Sequence, residues 1–133
     1  MIEADCIFCQ ETAVVLENDL AKAFWDIHPV RKGHLLVVPK QHYATYFDVP
    51  SVTRQAMDAL VFAAKDLLDT RYAPAGYNIG INSGAAAGQT VMHAHIHVIP
   101  RYTGDVRDPR GGIRKMLPVS YTHLRAHETL ANL

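Results

Sequence analysis

The sequence predicts an α+β fold, an antiparallel sheet of five strands covered by one long helix. Three observations predict it. Five short segments carry the alternating or wholly apolar pattern of strands, one longer segment carries helical spacing, and that helix falls between the third and fourth strands. Strands arranged around one helix pack as a sheet with the helix on a face, because each element must bury its apolar side against another. At 133 residues the chain has the size of one ordinary domain and can bury a real core.

Thr12 to Glu17 alternates apolar and polar residues and runs into Asn18-Asp19, a turn signal; Leu20 to Trp25 returns as the second strand of a hairpin. His34 to Val38 is a short apolar run bounded by Gly33 and Pro39, the pattern of a central strand. Asp48 or Ser51 is expected to cap the next element, since a short side-chain oxygen satisfies free N–H groups at a helix start. From Val52, apolar residues recur at Ala56, Leu60, Ala63, Ala64, Leu67 and Leu68, so the helix should end near Asp69 or Thr70, before Ala73-Pro74-Ala75-Gly76. Tyr77 to Ile81 alternates again, and Asn82 to Gly88 reads as a loop. The fifth strand is His93-Ala94-His95-Ile96-His97-Val98-Ile99-Pro100-Arg101. Strand side chains point to opposite faces with period two, which puts His93, His95 and His97 on one face and Ala94, Ile96 and Val98 on the other. Burying the apolar face against the helix should leave three imidazoles in a row on an accessible surface.

Composition narrows the function. An apolar fraction of 49% and a charged fraction of 20% describe a soluble globular protein. Thirteen basic residues balance thirteen acidic ones, which excludes a nucleic-acid binder that works by general electrostatics; any phosphate recognition must be local. No apolar run approaches the ~20 residues of a membrane span. Met1-Ile2-Glu3-Ala4-Asp5 lacks the basic start and apolar core of a signal peptide, so a cytoplasmic location is the default expectation. The two cysteines, Cys6 and Cys9, form a Cys-x-x-Cys pair. Such a pair suits a metal half-site or a redox couple better than a structural disulfide. The redox reading lacks its βαβ context, and zinc needs about four ligands, of which two cysteines supply half.

Imidazole is the side chain that changes charge near neutral pH, so an alternating row of histidines suits proton transfer, nucleophilic attack or metal binding. A catalytic metal held by His-x-His with His34 or His42 is one reading of that row.

The blocks around the row carry a resemblance. Gly88-Gln89-Thr90-Val91-Met92 precedes His-x-His-x-His; upstream stand Asp26-Ile27-His28-Pro29 and Gly33-His34-Leu35-Leu36-Val37-Val38-Pro39-Lys40-Gln41-His42, with Asn82 between the two regions. In order and spacing these resemble the histidine triad (HIT) family, from about Cys6 to Pro118. The resemblance implies that family's fold, with shorter helices beside the long one, and a homodimer formed through the helix and the sheet edge. It implies hydrolysis of an adenosine nucleotide at its α-phosphate through a nucleotidyl-histidine intermediate, which splits a difficult displacement into two easier ones. His95 is then the nucleophile, its other ring nitrogen held by a main-chain carbonyl. His97 and His34 lie at the phosphate, and Gln89 and Thr90 donate hydrogen bonds to its oxygens. Asp26 accepts both ribose hydroxyls, Ile27 packs on the base without reading its edge, and Asn82 joins the substrate site. His28 reads as a surface residue. Cys6, Cys9, His42 and His93 are implied as ligands of a structural zinc, and no organic cofactor is implied. Gly88 to Val91 and the Ile99-Pro100-Arg101 exit are closer to the dinucleoside polyphosphate hydrolases than to the phosphoramidate hydrolases, which often carry Gly-Gly-Arg there. A non-catalytic nucleotide-binding regulator would need a disabled nucleophile, and His95 is intact. The likeness fades toward the C-terminus, so residues 1–118 are taken as the domain and 119–133 as an atypical tail. His123 and His127 are left outside the site.

Overall fold

The computed structural model describes residues 1–116; the expected tail, 119–133, lies outside the described residues. The chain divides into two compact units, Met1–Tyr102 and a second beginning at Thr103. The first holds β1 (Leu16–Glu17), β2 (Ala21–Trp25), β3 (Leu35–Pro39), α1 (Ser51–Tyr72), β4 (Gly76–Gly80) and β5 (Ile96–Arg101). The strands form one sheet in the order β1-β2-β3-β5-β4 with every neighbouring pair antiparallel. β3 and β4 therefore run parallel on either side of β5, a connection no tight turn can make, and α1 supplies the crossover. Short 3-10 turns at Tyr46–Asp48 and Ala85–Ala87 complete this unit. In the second unit a 3-10 turn spans Gly112–Met116, and Asp108 receives Arg110 Nε at 3.1 Å and Nη2 at 3.2 Å.

The hairpin forms at the expected turn. Asn18 Oδ1 accepts the N–H groups of Leu20 (3.1 Å) and Ala21 (2.9 Å), while its Nδ2 donates to the Ala56 carbonyl at 2.9 Å and ties the turn to α1. β1 is shorter than Thr12–Glu17. The Glu11 carboxylate takes the Ala13 N–H at 2.9 Å, a local bond that competes with a sheet partner.

Neither Asp48 nor Ser51 caps α1. Asp48 Oδ2 instead receives the Thr45 N–H (3.1 Å) and hydroxyl (3.0 Å), which closes the preceding 3-10 turn, and Ser51 is itself the first helical residue after Pro50. At the far end the helix runs two residues beyond Thr70. Tyr72 packs against the core and meets the Trp25 ring edge-on at 6.4 Å, and Ala73 ends the helix in the left-handed region, φ 49°.

The sheet is buried on both faces. Toward α1 point Ala21, Ala23, Leu35, Val37, Ala94, Ile96 and Val98, meeting Met57, Leu60, Val61, Ala64 and Leu68. Fully burying a side chain of the Leu or Met kind is worth about 1.5–3 kcal/mol, so this face holds most of the fold's stability. On the opposite face Phe24, Leu36 and Val38 are covered by Cys6 and Phe8 from the N-terminal segment. Of the helix residues Leu60, Phe62, Ala64 and Leu68, three belong to this core and Phe62 points out, 67% exposed. Among the described residues no helix is long and apolar enough to cross a membrane.

The histidine row departs from the expected strand. Paired strand begins only at Ile96, so His93 and His95 precede the ladder. The main chain there bonds elsewhere: the Ala94 N–H donates to the Tyr43 carbonyl at 2.7 Å, and the His93 carbonyl accepts from the His95 ring at 2.7 Å. The alternation survives, with Ala94, Ile96 and Val98 on the helix side. The imidazoles are not on open surface, however: His93 is fully buried and His95 is 5% exposed, because Phe8 lies edge-on against both rings at 6.0 and 5.1 Å.

Candidate active site and metal centre

Main-chain groups set the tautomers of His95 and His34, and His34 in turn sets that of His97. His95 Nδ1 lies 2.7 Å from the His93 carbonyl, which can only accept, so Nδ1 carries the proton and Nε2 of the neutral ring carries a lone pair. His34, at the entrance of β3, receives the Val30 N–H on Nδ1 at 3.1 Å, which places its own proton on Nε2. That Nε2–H points at His97 Nδ1, 2.9 Å away, so His97 in turn holds its proton on Nε2. The chain of bonds thus leaves His95 with a free lone pair and its neighbour His97, ring centroids 5.0 Å apart, with a free donor.

Burial favours the neutral form of His34 and of His97. Desolvation lowers the His34 pKa below its ordinary value, partly offset by Asp26, whose Oδ2 lies 3.4 Å from His34 Nε2. His97 is pushed down to about 4, first by burial and then by the neighbouring His95 and His34.

His95 and His97 open onto a cavity of about 430 Å³. Its apolar walls are Ile7, Phe8, Phe24, Ile27 and Leu36; its polar lining includes Asp26, Thr90 and Glu11. Asp26 Oδ1 accepts the His28 N–H at 2.8 Å, a bond that folds the loop after β2 and aims the carboxylate. Ile27 also lines the cavity and is 77% exposed.

Among the residues expected at the substrate, Asp26, Ile27, Thr90, His95 and His97 line the cavity, and His34 stands behind His97. Asn82 and Gln89 do not line it. Gln89 is buried, with Nε2 donating to the carbonyls of Ala44 (2.6 Å) and Val91 (3.0 Å) and Oε1 receiving the Gly84 N–H (2.8 Å). Its donors are committed to holding the loop, which leaves Thr90 as the side-chain donor from that segment. His28 is exposed, as read from the sequence, but it also lines the cavity, where the sequence reading did not place it.

A second cluster brings together Cys6, Cys9, His42 and His93, whose ligand atoms all lie within 4.8 Å of one another. Both cysteines are free thiols. His93 Nε2 faces the Pro39 carbonyl at 2.8 Å, so its proton sits there and its Nδ1 lone pair faces the sulfurs. His93 Nδ1 is 3.2 Å from Cys6 Sγ and 3.5 Å from Cys9 Sγ; His42 Nδ1 is 3.5 Å from Cys9 Sγ. A tetrahedral zinc with Zn–S near 2.3 Å and Zn–N near 2.0–2.1 Å sets S···N edges of about 3.5 Å. The residues fit zinc in chemistry and in spacing. The Cys9 N–H donates to Cys6 Sγ at 3.3 Å, and Glu3 Oε1 lies 3.7 Å from His42 Nε2, the kind of outer support a metal site uses.

Sequence reasoning missed much of the cavity wall, Ile7, Phe8, Glu11, Phe24 and Leu36 among it, and the buried Lys22. Phe8 and Glu11 flank the cysteines and build the cavity wall, while Lys22, on β2, is buried with Nζ donating to the carbonyls of Glu11 (2.9 Å) and Cys9 (3.4 Å). The one available signal was that Lys22 shares a strand face with the apolar Phe24, opposite Ala21 and Ala23.

A five-stranded antiparallel sheet under one long helix, with a histidine row beside a cavity of mixed lining, defines the class of domain. The HIT domain family model matches residues 9–104, and the chain belongs to that family. It is 35% identical over 120 residues to an adenosine 5′-monophosphoramidase of Saccharomyces cerevisiae, covering 84% of this chain and 69% of that protein. It is 33% identical over 110 residues to an adenylylsulfatase of Arabidopsis thaliana, covering 78% of this chain and 56% of that protein. The crystal structure of a zinc-bound histidine triad family protein from Mycobacterium smegmatis superposes with a TM-score of 0.70 at 32% identity, covering 92% of this chain and 97% of that one.

Proposed function

We propose that this protein hydrolyses an adenosine nucleotide at its α-phosphate, with His95 as nucleophile, and that the group displaced is small, an amine released from a phosphoramidate or a sulfate. The carrying observation is the His95 Nδ1 bond to the His93 carbonyl, which leaves the Nε2 lone pair at the wall of the cavity. In the first step a bond forms from His95 Nε2 to phosphorus while the bond to the leaving group breaks. His97 Nε2–H and Thr90 donate to the charge that develops. In the second step water displaces His95, so the net reaction consumes one water and returns the free enzyme. Asp26 receives the ribose hydroxyls and Ile27 packs against the base.

The small leaving group is favoured by the names of two relatives, a monophosphoramidase and an adenylylsulfatase. The dinucleoside polyphosphate reading rested on Gly88 to Val91, of which Thr90 and Val91 line the cavity, and on the Ile99-Pro100-Arg101 exit. Arg101 bonds Asn78 Oδ1 on β4 at 2.5 Å and Pro100 is fully buried beside Gly33, so neither lines the cavity. Turnover of adenosine 5′-phosphoramidate should exceed that of diadenosine tetraphosphate; the reverse order would restore the polyphosphate reading. Acid-free trapping and digestion should place the nucleotide on His95, and label on His93 or His97 would overturn the nucleophile assignment.

Cys6, Cys9, His42 and His93 would hold a structural zinc, whose four protein ligands leave no position for substrate and whose binding energy adds to folding. A homodimer through α1 and the edge strand β4 belongs to the same reading, supported by outward Phe62 and by Ile79, 49% exposed.

A further inference from the structure

Glu11 is a charged side chain on the wall of the cavity, and nothing in the reaction above uses it. It follows Cys9 by two residues and lines the same cavity as Phe8, Phe24 and Ile27. Its placement is fixed twice: its carbonyl accepts from the buried Lys22 Nζ at 2.9 Å, and its Oε2 accepts from the Ala13 N–H at 2.9 Å. Oε1 has no hydrogen-bond partner among the described residues. A carboxylate held in this way loses little further freedom when it binds, so a bond to it keeps most of its strength.

We infer that Glu11 reads the edge of the base, accepting a hydrogen bond from an exocyclic amino group, so that the site selects a purine that carries one. The inference rests on the proposed nucleotide site and corrects the expectation that the base is bound by apolar contact alone. An ionised carboxylate only accepts, so it favours a donor such as the amino group of adenine. A purine with bare carbon at that position offers nothing in exchange for desolvating the charge, and a carbonyl oxygen there is repelled. Charge-assisted bonds are stronger than neutral ones, and a half-exposed acceptor sits at the low end of their range, a preference of about tenfold.

The test compares adenosine 5′-monophosphate with purine riboside 5′-monophosphate, which differs only by the missing amino group. Titration calorimetry of the zinc-loaded wild type should show about tenfold tighter binding of the amino-bearing ligand. Glu11→Ala should reduce that ratio to about one, mainly by weakening the adenine ligand. Glu11→Gln keeps an oxygen for the Ala13 N–H but turns a donor toward the base, and should also remove the preference; this variant guards against a folding defect in the first. A wild-type ratio of one, or a ratio unchanged in both variants, would overturn the inference while leaving the nucleotide site standing. Failure of the wild type to bind either ligand would overturn both.

Discussion

Removing the Asp26 carboxylate should weaken ribonucleotides far more than their 2′-deoxy analogues. The side chain is 17% exposed, so water replaces its bonds poorly. Its oxygens each hold one protein contact, the His28 N–H at 2.8 Å on Oδ1 and His34 Nε2 at 3.4 Å from Oδ2, and each has a further acceptor site for a hydroxyl. A ribose gives two charge-assisted bonds and a 2′-deoxyribose one. Each is worth roughly 1.5–3 kcal/mol when lost. Asp26→Ala therefore removes two bonds from the ribonucleotide and one from the analogue. The ratio of their affinities should fall by one bond's worth, about ten- to a hundredfold at 1.4 kcal/mol per decade. The substitution also frees the loop held by His28, which lowers both affinities together and cancels in the ratio. Asp26→Asn keeps an acceptor for the His28 N–H and should lie between. The assay is competitive titration of AMP against 2′-deoxy-AMP on wild type and both variants. Equal losses for the two ligands would show that Asp26 only shapes its loop and that the ribose pocket lies elsewhere.

Two further outcomes follow from the histidines and thiols. Purified protein should contain one zinc per chain by elemental analysis, and Cys6→Ser or Cys9→Ser should lose it together with a clear fall in melting temperature; metal-free protein of unchanged stability would refute the cluster. Stability should also fall on acidification, because His34 and His97 have pKa values held below the ordinary one, His97 at about 4, by burial. As pH drops from about 6.5 toward 4 the unfolded chain takes up protons that the folded one refuses, so the unfolding free energy rises with pH across that window and levels off beyond it. Thermal melts between pH 4 and 7.5 should show this slope, and His97→Gln should flatten it; identical slopes would contradict the neutral His34–His97 pair.

Much of the architecture was legible because period and chain order report it directly. β2, β3 and α1 sit within two or three residues of the pattern, and the alternation of Ala94, Ile96 and Val98 correctly names the face that meets the helix. What could not be read was the other face. Periodicity tells which side of a strand is apolar, not what covers its polar side, and here Cys6–Phe8 arrives from far along the chain to bury His93 and His95. The same long-range placement hid Glu11 and gave Lys22 its carbonyl partners. Asp48 misled for a local reason: a good capping residue closed the turn just before the helix instead. Gln89 misled because its position within its motif suggests a ligand contact, while its amide is fully engaged by Ala44, Val91 and Gly84.

The groups that orient His93, His95 and His34 are the carbonyls of Pro39 and His93 and the N–H of Val30, none of them a side chain. An alanine scan would leave all three groups in place, since every residue it installs carries the same peptide bond. These supports do not ionise in water either, so acid can protonate an imidazole but cannot disarm what aims it. The bond that orients His95 is therefore sensitive first of all to movement of the main chain. Replacing one amide by an ester would be a direct way to ask what each support contributes.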